Sequence, residues 1–414
     1  MSNCAQIPHC VWVTFFVRQC FCDGVKPLTC EAGAVDLKVR VLRWAAFHPL
    51  FMLHAALIGL PSAGKSTLFQ LMTSVREAAR GHGKTETAVG ISKVPDDRLT
   101  RLTSMYKPRK EVPATIEFTD FIAPGRAGAA ALVDVVGYKT ADALVHVLRA
   151  FRDEAVPHPA GSVDPARDAQ AMEDELILAD LGVVERRLER LERDLKRNKS
   201  VELERERDLL VRCRTALENG QPLRSLGLTG DDLRRLRGFQ FLSAKPLLLV
   251  INLDEADVSA AANVDEAAAR TGLTAFLSRA ATRAVPVCAK IELEIASLDE
   301  RDAAAFLADL GLSESGLSRV IRASYELLGY ISFFTVGEDE TRAWSIPRAT
   351  QAQEAAGEIH SDIARGFIRA EVVSYDALVA RGSMAACKEH GEVRLEGKEY
   401  IVKDGDVINY RFAT

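Results

Sequence analysis

Short apolar runs recur along the middle of the chain, each bounded by glycine, proline or charged residues. Ala55-Ala56-Leu57-Ile58, Ala143-Leu144-Val145-His146-Val147-Leu148, Pro246-Leu247-Leu248-Leu249-Val250-Ile251 and Ala284-Val285-Pro286-Val287 have the length and continuous character of strands buried on both faces. Ala114-Thr115-Ile116-Glu117-Phe118-Thr119-Asp120 alternates instead, and reads as a strand that ends in a carboxylate. Between the second and third runs the period changes. Over 164–220 Leu181, Val184, Leu188, Leu191 and Leu195 step by three and four, a coiled-coil seam. Leu203, Leu210, Cys213 and Leu217 carry the seam onto a second helix beyond Asn198-Lys199-Ser200, and Asn219-Gly220 is its stop signal. The pattern predicts an antiparallel helical hairpin inserted in a parallel α/β domain. Near the end, 399–402 and 407–412 read as strands joined across Lys403-Asp404-Gly405-Asp406 into a β-hairpin.

The first apolar run leads into Gly59-Leu60-Pro61-Ser62-Ala63-Gly64-Lys65-Ser66-Thr67, which fits G-x-x-x-x-G-K-[ST] at every fixed position. Leu68-Phe69-Gln70-Leu71-Met72 follows as a helix, so strand, loop and helix stand in the order a phosphate-binding loop needs. Glycines let the backbone close around a polyphosphate, and the helix N-terminus favours its charge. Lys65 would reach the terminal phosphates and the Ser66 hydroxyl would bind Mg²⁺. The chain is read as binding a nucleoside triphosphate through Gly59, Pro61, Ser62, Ala63, Gly64, Lys65, Ser66 and Thr67.

Bulk properties narrow the setting. With 414 residues, 27% charged and 48% hydrophobic, the chain has an ordinary globular composition and room for two or three domains. A net charge of −5 gives no global field for nucleic acid, so DNA binding is not expected and any RNA contact is local. No apolar run approaches membrane-spanning length, so no membrane partner is expected. Five of the eight cysteines (Cys4, Cys10, Cys20, Cys22, Cys30) crowd the first thirty residues. Their spacing makes no C-x-x-C pair, and a nucleotide-driven machine belongs in the reducing cytosol. Residues 1–51 have no clear period; they are expected to be a poorly ordered extension ahead of a start at Met52.

Candidate chemistry then falls at strand ends. In His82-Gly83-Lys84-Thr85-Glu86-Thr87, either Thr85 or Thr87 could complete Mg²⁺ coordination as a first switch, or the segment is a surface loop. Asp120 takes the second-shell Mg²⁺ role. His146 reads as a satisfied core histidine, whereas His158, in Pro157-His158-Pro159-Ala160-Gly161, reads as presented on a rigid loop. Asn252-Leu253-Asp254-Glu255 and Cys288-Ala289-Lys290 close the strands that should read the base. GTP-binding proteins place N-K-x-D at the first of these. Here Leu253 replaces the lysine, and Glu255, one methylene longer than aspartate, cannot keep the same paired geometry on guanine. Asn252 and main-chain groups could serve adenine. Arginines on the hairpin (Arg186, Arg187, Arg190, Arg193) alternate with glutamates, as a solvated face does.

With these pieces assembled, the chain resembles the YchF family of Obg-like ATPases over about 52–414. Its last third carries the densest likeness: Gly316-Leu317-Ser318-Arg319-Val320-Ile321-Arg322-Ala323, Arg342-Ala343-Trp344-Ser345-Ile346-Pro347, Gly366-Phe367-Ile368-Arg369-Ala370 and Gly397-Lys398-Glu399-Tyr400-Ile401-Val402-Lys403-Asp404-Gly405-Asp406. The resemblance implies a P-loop NTPase of the Obg type at 52–163 and 242–328, the helical insertion at 164–241, and a ubiquitin-like β-grasp (TGS) domain at 329–414. It implies ATP preferred over GTP, and a catalytically implicated histidine that matches His158. It also implies ribosome or ribosomal RNA contacts through the TGS domain and the hairpin, with Arg365, Arg369, Lys398 and Lys403 available to phosphates. A cytosolic monomer that hydrolyses ATP slowly with Mg²⁺ is expected. Departures bear on this. The family's D-x-x-G is Asp120-Phe121-Ile122-Ala123 here, Pro124 stands where Ras-type enzymes place glutamine, and Gly83 replaces the family's redox-sensitive cysteine. The family's first-switch threonine aligns nearer Lys84 than Thr85. An ATP-binding adaptor that has lost hydrolysis is therefore the rival reading, and a GTPase a third.

Overall fold

The computed structural model describes residues 53–73, 86–122, 135–198 and 200–413. The expectations for 1–51, for Thr85 and for Ala123 and Pro124 lie outside these residues.

The nucleotide-binding half is built on β1 (Leu53–Ile58), β2 (Glu86–Lys93), β4 (Thr115–Ile122), β5 (Ala143–Arg149), β6 (Leu247–Asn252) and β7 (Thr282–Val287), with β3 (Lys110–Val112) set aside for another sheet. Its six strands run in the order β2-β4-β1-β5-β6-β7, all parallel except β2, which pairs antiparallel with β4 at one edge. All seven residues of β5 and all six of β6 are buried, as expected of strands covered on both faces. Chain connections leave β1 and β5 toward opposite edges, and the crevice at such a switch point is where this architecture binds ligands.

The inserted hairpin consists of helices Pro165–Arg197 and Val201–Glu218. Asp164 caps the first by accepting from the Arg167 backbone N–H, with Pro165 preset at its first turn. Val184, Leu188 and Leu191 interdigitate with Leu209, Leu210, Cys213 and Leu217; of the predicted seam Leu181 and Leu203 pack at its edge, Leu195 stands outside it, and Leu209 is added. Arg187 crosses it to hold both Glu206 oxygens at 2.7 and 2.8 Å. At the hairpin base, Arg224 Nη2 lies 2.6 Å from both oxygens of the buried Glu173, and Asp180 accepts from the backbone N–H groups of Leu242 and Ser243. These bonds tie the hairpin to the nucleotide sheet.

The C-terminal part contains β8 (Tyr330–Val336), β9 (Glu340–Pro347), β10 (Phe367–Ser374), β11 (Arg394–Glu396) and β12 (Asp406–Phe412). Their order is β11-β10-β12-β8-β9, with the first and last long strands adjacent and parallel and helix Ala352–Ile359 packed on the sheet, a β-grasp arrangement. β3 adds itself to β9 in parallel, so a strand from the nucleotide half completes this sheet. The expected hairpin between 399–402 and 407–412 is not formed. Ile401 bridges Gln351 instead, and Asp406 Oδ2 takes the Tyr400 hydroxyl and the Lys403 N–H, so the turn swings away while β12 pairs with β10 and β8.

Candidate functional site

β1 ends at Gly59, whose φ of 138° favours glycine; any Cβ there would also collide with the Val147 carbonyl oxygen. Gly64 caps helix Lys65–Met72 at φ 98°, where a Cβ would lie 2.5 Å from Asn252 Nδ2. Between them Ser62 also takes a positive φ of 61°. The loop is thus wound before any ligand arrives. Lys65 Nζ donates to the carbonyls of Gly59 (3.0 Å) and Leu60 (2.8 Å), and burial lowers its pKa, partly offset by the charge of Asp120.

Ser66 Oγ donates to Asp120 Oδ2 at 2.7 Å, while the buried Asp120 Oδ1 has no hydrogen-bond partner among the described residues. A buried carboxylate oxygen without a donor is costly unless a cation or its water meets it. The hydroxyl and this oxygen form the donor set of a hard, oxygen-preferring ion, and Mg²⁺ fits them.

Behind the loop, His146 is fully buried, and burial, with the Lys65 charge adding to it, pushes its pKa down to about 3. It is therefore neutral. The sequence reading of a satisfied core histidine needs correction, because Nε2 has no hydrogen-bond partner among the described residues.

Asn252 joins the 59–67 loop to the C-terminal ends of β6 and β7. Its Nδ2 donates to Ala63 O and its Oδ1 accepts from Ala289 N, both at 3.0 Å. The expectation that Asn252 and main-chain groups serve adenine changes accordingly: both ends of the amide are engaged, and one Nδ2 hydrogen remains uncommitted among the described residues. Beside it opens a cavity of about 650 Å³ lined by Gly64, Thr67, Phe151, Arg152, Asn252, Leu253, Glu255, Cys288, Ala289 and Lys290. Leu253 and Cys288 are buried in its wall, and Glu255 Oε2 meets Lys290 Nζ at 2.5 Å across its mouth.

One wall is not announced by the sequence motifs. The buried Arg149 ends β5 and ties down the following loop by donating to the carbonyls of Phe151, Asp153 and Val156. Its guanidinium also lies 4.7 Å over the Phe151 ring. A lone arginine at the end of an unbroken apolar run is the available signal.

His158 departs most from expectation. Its side chain is 3% exposed, with Nε2 3.0 Å from Asp168 Oδ2, and it does not line the cavity. The loop turns it inward onto the hairpin base instead of presenting it, because a buried carboxylate ten residues later faces back toward it.

Comparison with known proteins adds four findings. Residues 330–413 match the family described as YchF-GTPase_C, protein of unknown function (DUF933). The "Ribosome-binding ATPase YchF" of Bacillus subtilis (strain 168) is 41% identical over 368 residues, covering 87% of this chain and 99% of that one. The protein of the same name from Escherichia coli O157:H7 is 38% identical over 362 residues, covering 86% and 98%. A solved structure, "Structure of the Schizosaccharomyces pombe YchF GTPase", superposes with a TM-score of 0.73 at 27% identity, covering 88% of this chain and 99% of that one.

Proposed function

The chain belongs to the YchF family, and from that premise we propose that it is a Mg²⁺-dependent ATPase of low intrinsic turnover that works with the ribosome. The observation that carries this reading is the pairing of Ser66 with Asp120 beside Lys65, with Asp120 Oδ1 left open.

ATP would lie with its base in the cavity between Leu253 and Ala289 and its phosphates in the wound loop. Lys65 would exchange the carbonyls of Gly59 and Leu60 for phosphate oxygens, and the loop N–H groups would hold the rest. Ser66 would ligate Mg²⁺ and Asp120 would hold it through water. When bound, the ion supplies charge neutralisation at the β- and γ-phosphates. Water attacks the γ-phosphorus in line, the bond to the bridging oxygen breaks, and ADP departs. His158 would orient that water once freed from Asp168. Turnover is slow in this reading because Pro124 cannot orient a water as a glutamine does.

GTP is the poorer ligand, since Leu253 offers no cation and Glu255 is engaged by Lys290. Ribosomal contacts would come through the hairpin and the C-terminal β-grasp domain of a cytosolic monomer. One observation favours a second reading, an ATP-binding adaptor without hydrolysis: Ala123 stands where the resemblance calls for glycine. ATP and GTP turnover by the full chain, with Lys65→Ala as control and with or without ribosomes, separates them. Mg²⁺-dependent ATP turnover lost in Lys65→Ala supports the ATPase. Tight ATP binding at the Lys65→Ala background rate supports the adaptor.

A further inference from the structure

The loop that carries His158 is closed on itself and on the hairpin. Gly161 N donates to the His158 carbonyl at 2.9 Å, and Ala160 N donates to His158 Nδ1 at 3.2 Å. With Nδ1 accepting, the neutral ring carries its proton on Nε2, the nitrogen that faces Asp168 Oδ2 at 3.0 Å. Nδ1 is thereby occupied, and Nε2 is turned onto the carboxylate. The Nε2 contact lies at 3.0 Å without the alignment of a hydrogen bond, so it rests on proximity to the carboxylate. Asp168 is itself held, because its Oδ1 takes Arg167 Nε at 3.0 Å and Nη2 at 2.8 Å, and Arg167 reaches on to Ser162.

Asp168 sits in the first turn of the long hairpin helix. A 33-residue helix extends about 50 Å at 1.5 Å per residue, so a small tilt at its base is a large displacement at its tip.

We propose that Asp168 is a positioning residue that parks His158 away from the nucleotide, and that movement of the hairpin releases it. This rests on the reading of His158 as the residue that orients the attacking water. A parked ring keeps Nδ1 on the Ala160 N–H and Nε2 buried against Asp168, away from that water, so the clasp is an off state, and a partner that engages the hairpin supplies the on signal. The two halves of the family reading, partner binding and hydrolysis, then meet at one side-chain contact. Because His158 does not touch the cavity in this state, the clasp acts on kcat and leaves ATP affinity alone.

The test is steady-state ATP turnover by the full chain carrying Asp168→Asn, Asp168→Glu or His158→Ala, and by the Asp168→Asn/His158→Ala double variant, with and without ribosomes. The expected result is a rise in basal kcat of about threefold or more in Asp168→Asn at unchanged KM, absent from the double variant, with less further gain from ribosomes. Asp168→Glu, which keeps the charge, should stay near the parent rate. The imidazole NMR signals of His158 should move in Asp168→Asn and report loss of the clasp independently of turnover. If His158→Ala loses activity while Asp168→Asn gains none, or if the imidazole signals do not move, the clasp is overturned. If His158→Ala turns over at the parent rate, the role of His158 itself fails, and the clasp as a control of hydrolysis fails with it.

Discussion

Asn252 Nδ2 lies 3.0 Å from the carbonyl oxygen of Ala63, a residue 189 positions earlier in the chain. One buried amide therefore sets how far the 59–67 loop stands from the cavity wall at Ala289, because its other end holds the Ala289 N–H.

Replacing Asn252 by alanine leaves the buried Ala63 carbonyl and Ala289 N–H without their partner. A loss of about 1–3 kcal/mol in stability is expected. ATP affinity should fall with it, as the loop and the pocket wall separate. Thermal unfolding and nucleotide titration of the same variant measure the two effects. Unchanged affinity would show that the brace supports the fold alone.

Asp120→Asn keeps the shape of the side chain and removes its charge. The Ser66 hydroxyl retains an acceptor, so the fold should hold, while Mg²⁺ affinity should drop by about 10–100-fold. The Mg²⁺ dependence of ATP turnover is the measurement. Ser66→Ala should shift it in the same direction, and a metal dependence equal to the parent in both variants would remove these residues from the metal site.

Arg98 reaches from helix Asp97–Tyr106 to Asp404 in the C-terminal part, with bonds of 2.8 and 3.3 Å, while also holding Asp96 and lying 5.2 Å over the Phe334 ring. Arg98→Ala should weaken this seam by about 1–2 kcal/mol, less at high salt. Hydrogen exchange along β3 and β9 should quicken first. Uniform exchange across the chain would mean that the arginine is not what holds the seam.

Asp180 titrates in a buried setting. Burial raises its pKa, against the opposing pull of the Ser243 and Leu242 hydrogen bonds. An acid whose folded pKa is raised binds its proton more tightly in the folded chain. Its contribution to stability is then fully present below the ordinary carboxylate pKa and is lost as pH rises through the folded value. The stability of Asp180→Asn relative to the parent should therefore improve as pH is taken from about 4 to about 7, read from denaturant unfolding at each pH. A constant difference would show that the carboxylate ionises normally.

What is legible in the sequence follows from local chemistry. The phosphate loop needs residues at fixed spacing, and the hairpin seam repeats every three or four positions, so Gly64, Lys65, Val184 and Leu191 can be placed directly. Leu209 stands four positions before Cys213, so the same spacing admits it, and periodicity alone does not choose between it and its neighbour Leu210. Features made by distant encounters are not legible. Nothing near Asn252 announces Ala63, and nothing near His158 announces that Asp168 folds back on it. Lys403-Asp404-Gly405-Asp406 has the composition of a hairpin turn, yet Gln351 and Tyr400 decide where it goes. β3 is three residues long, too short for any period to show.

That short strand has a consequence for how the chain can be cut. β3 pairs with β9, and only Pro113 and Ala114 separate it from β4, the strand that bears Asp120. A fragment beginning near residue 329 would leave behind the outermost strand of its own sheet and expose the bare edge of β9 to self-association. The remaining piece would carry a strand with nothing to pair against, two residues from the strand that bears Asp120. Any force that pulls on the last domain is thus delivered toward that carboxylate through backbone hydrogen bonds. The two halves are two folds by architecture and a single mechanical part by wiring.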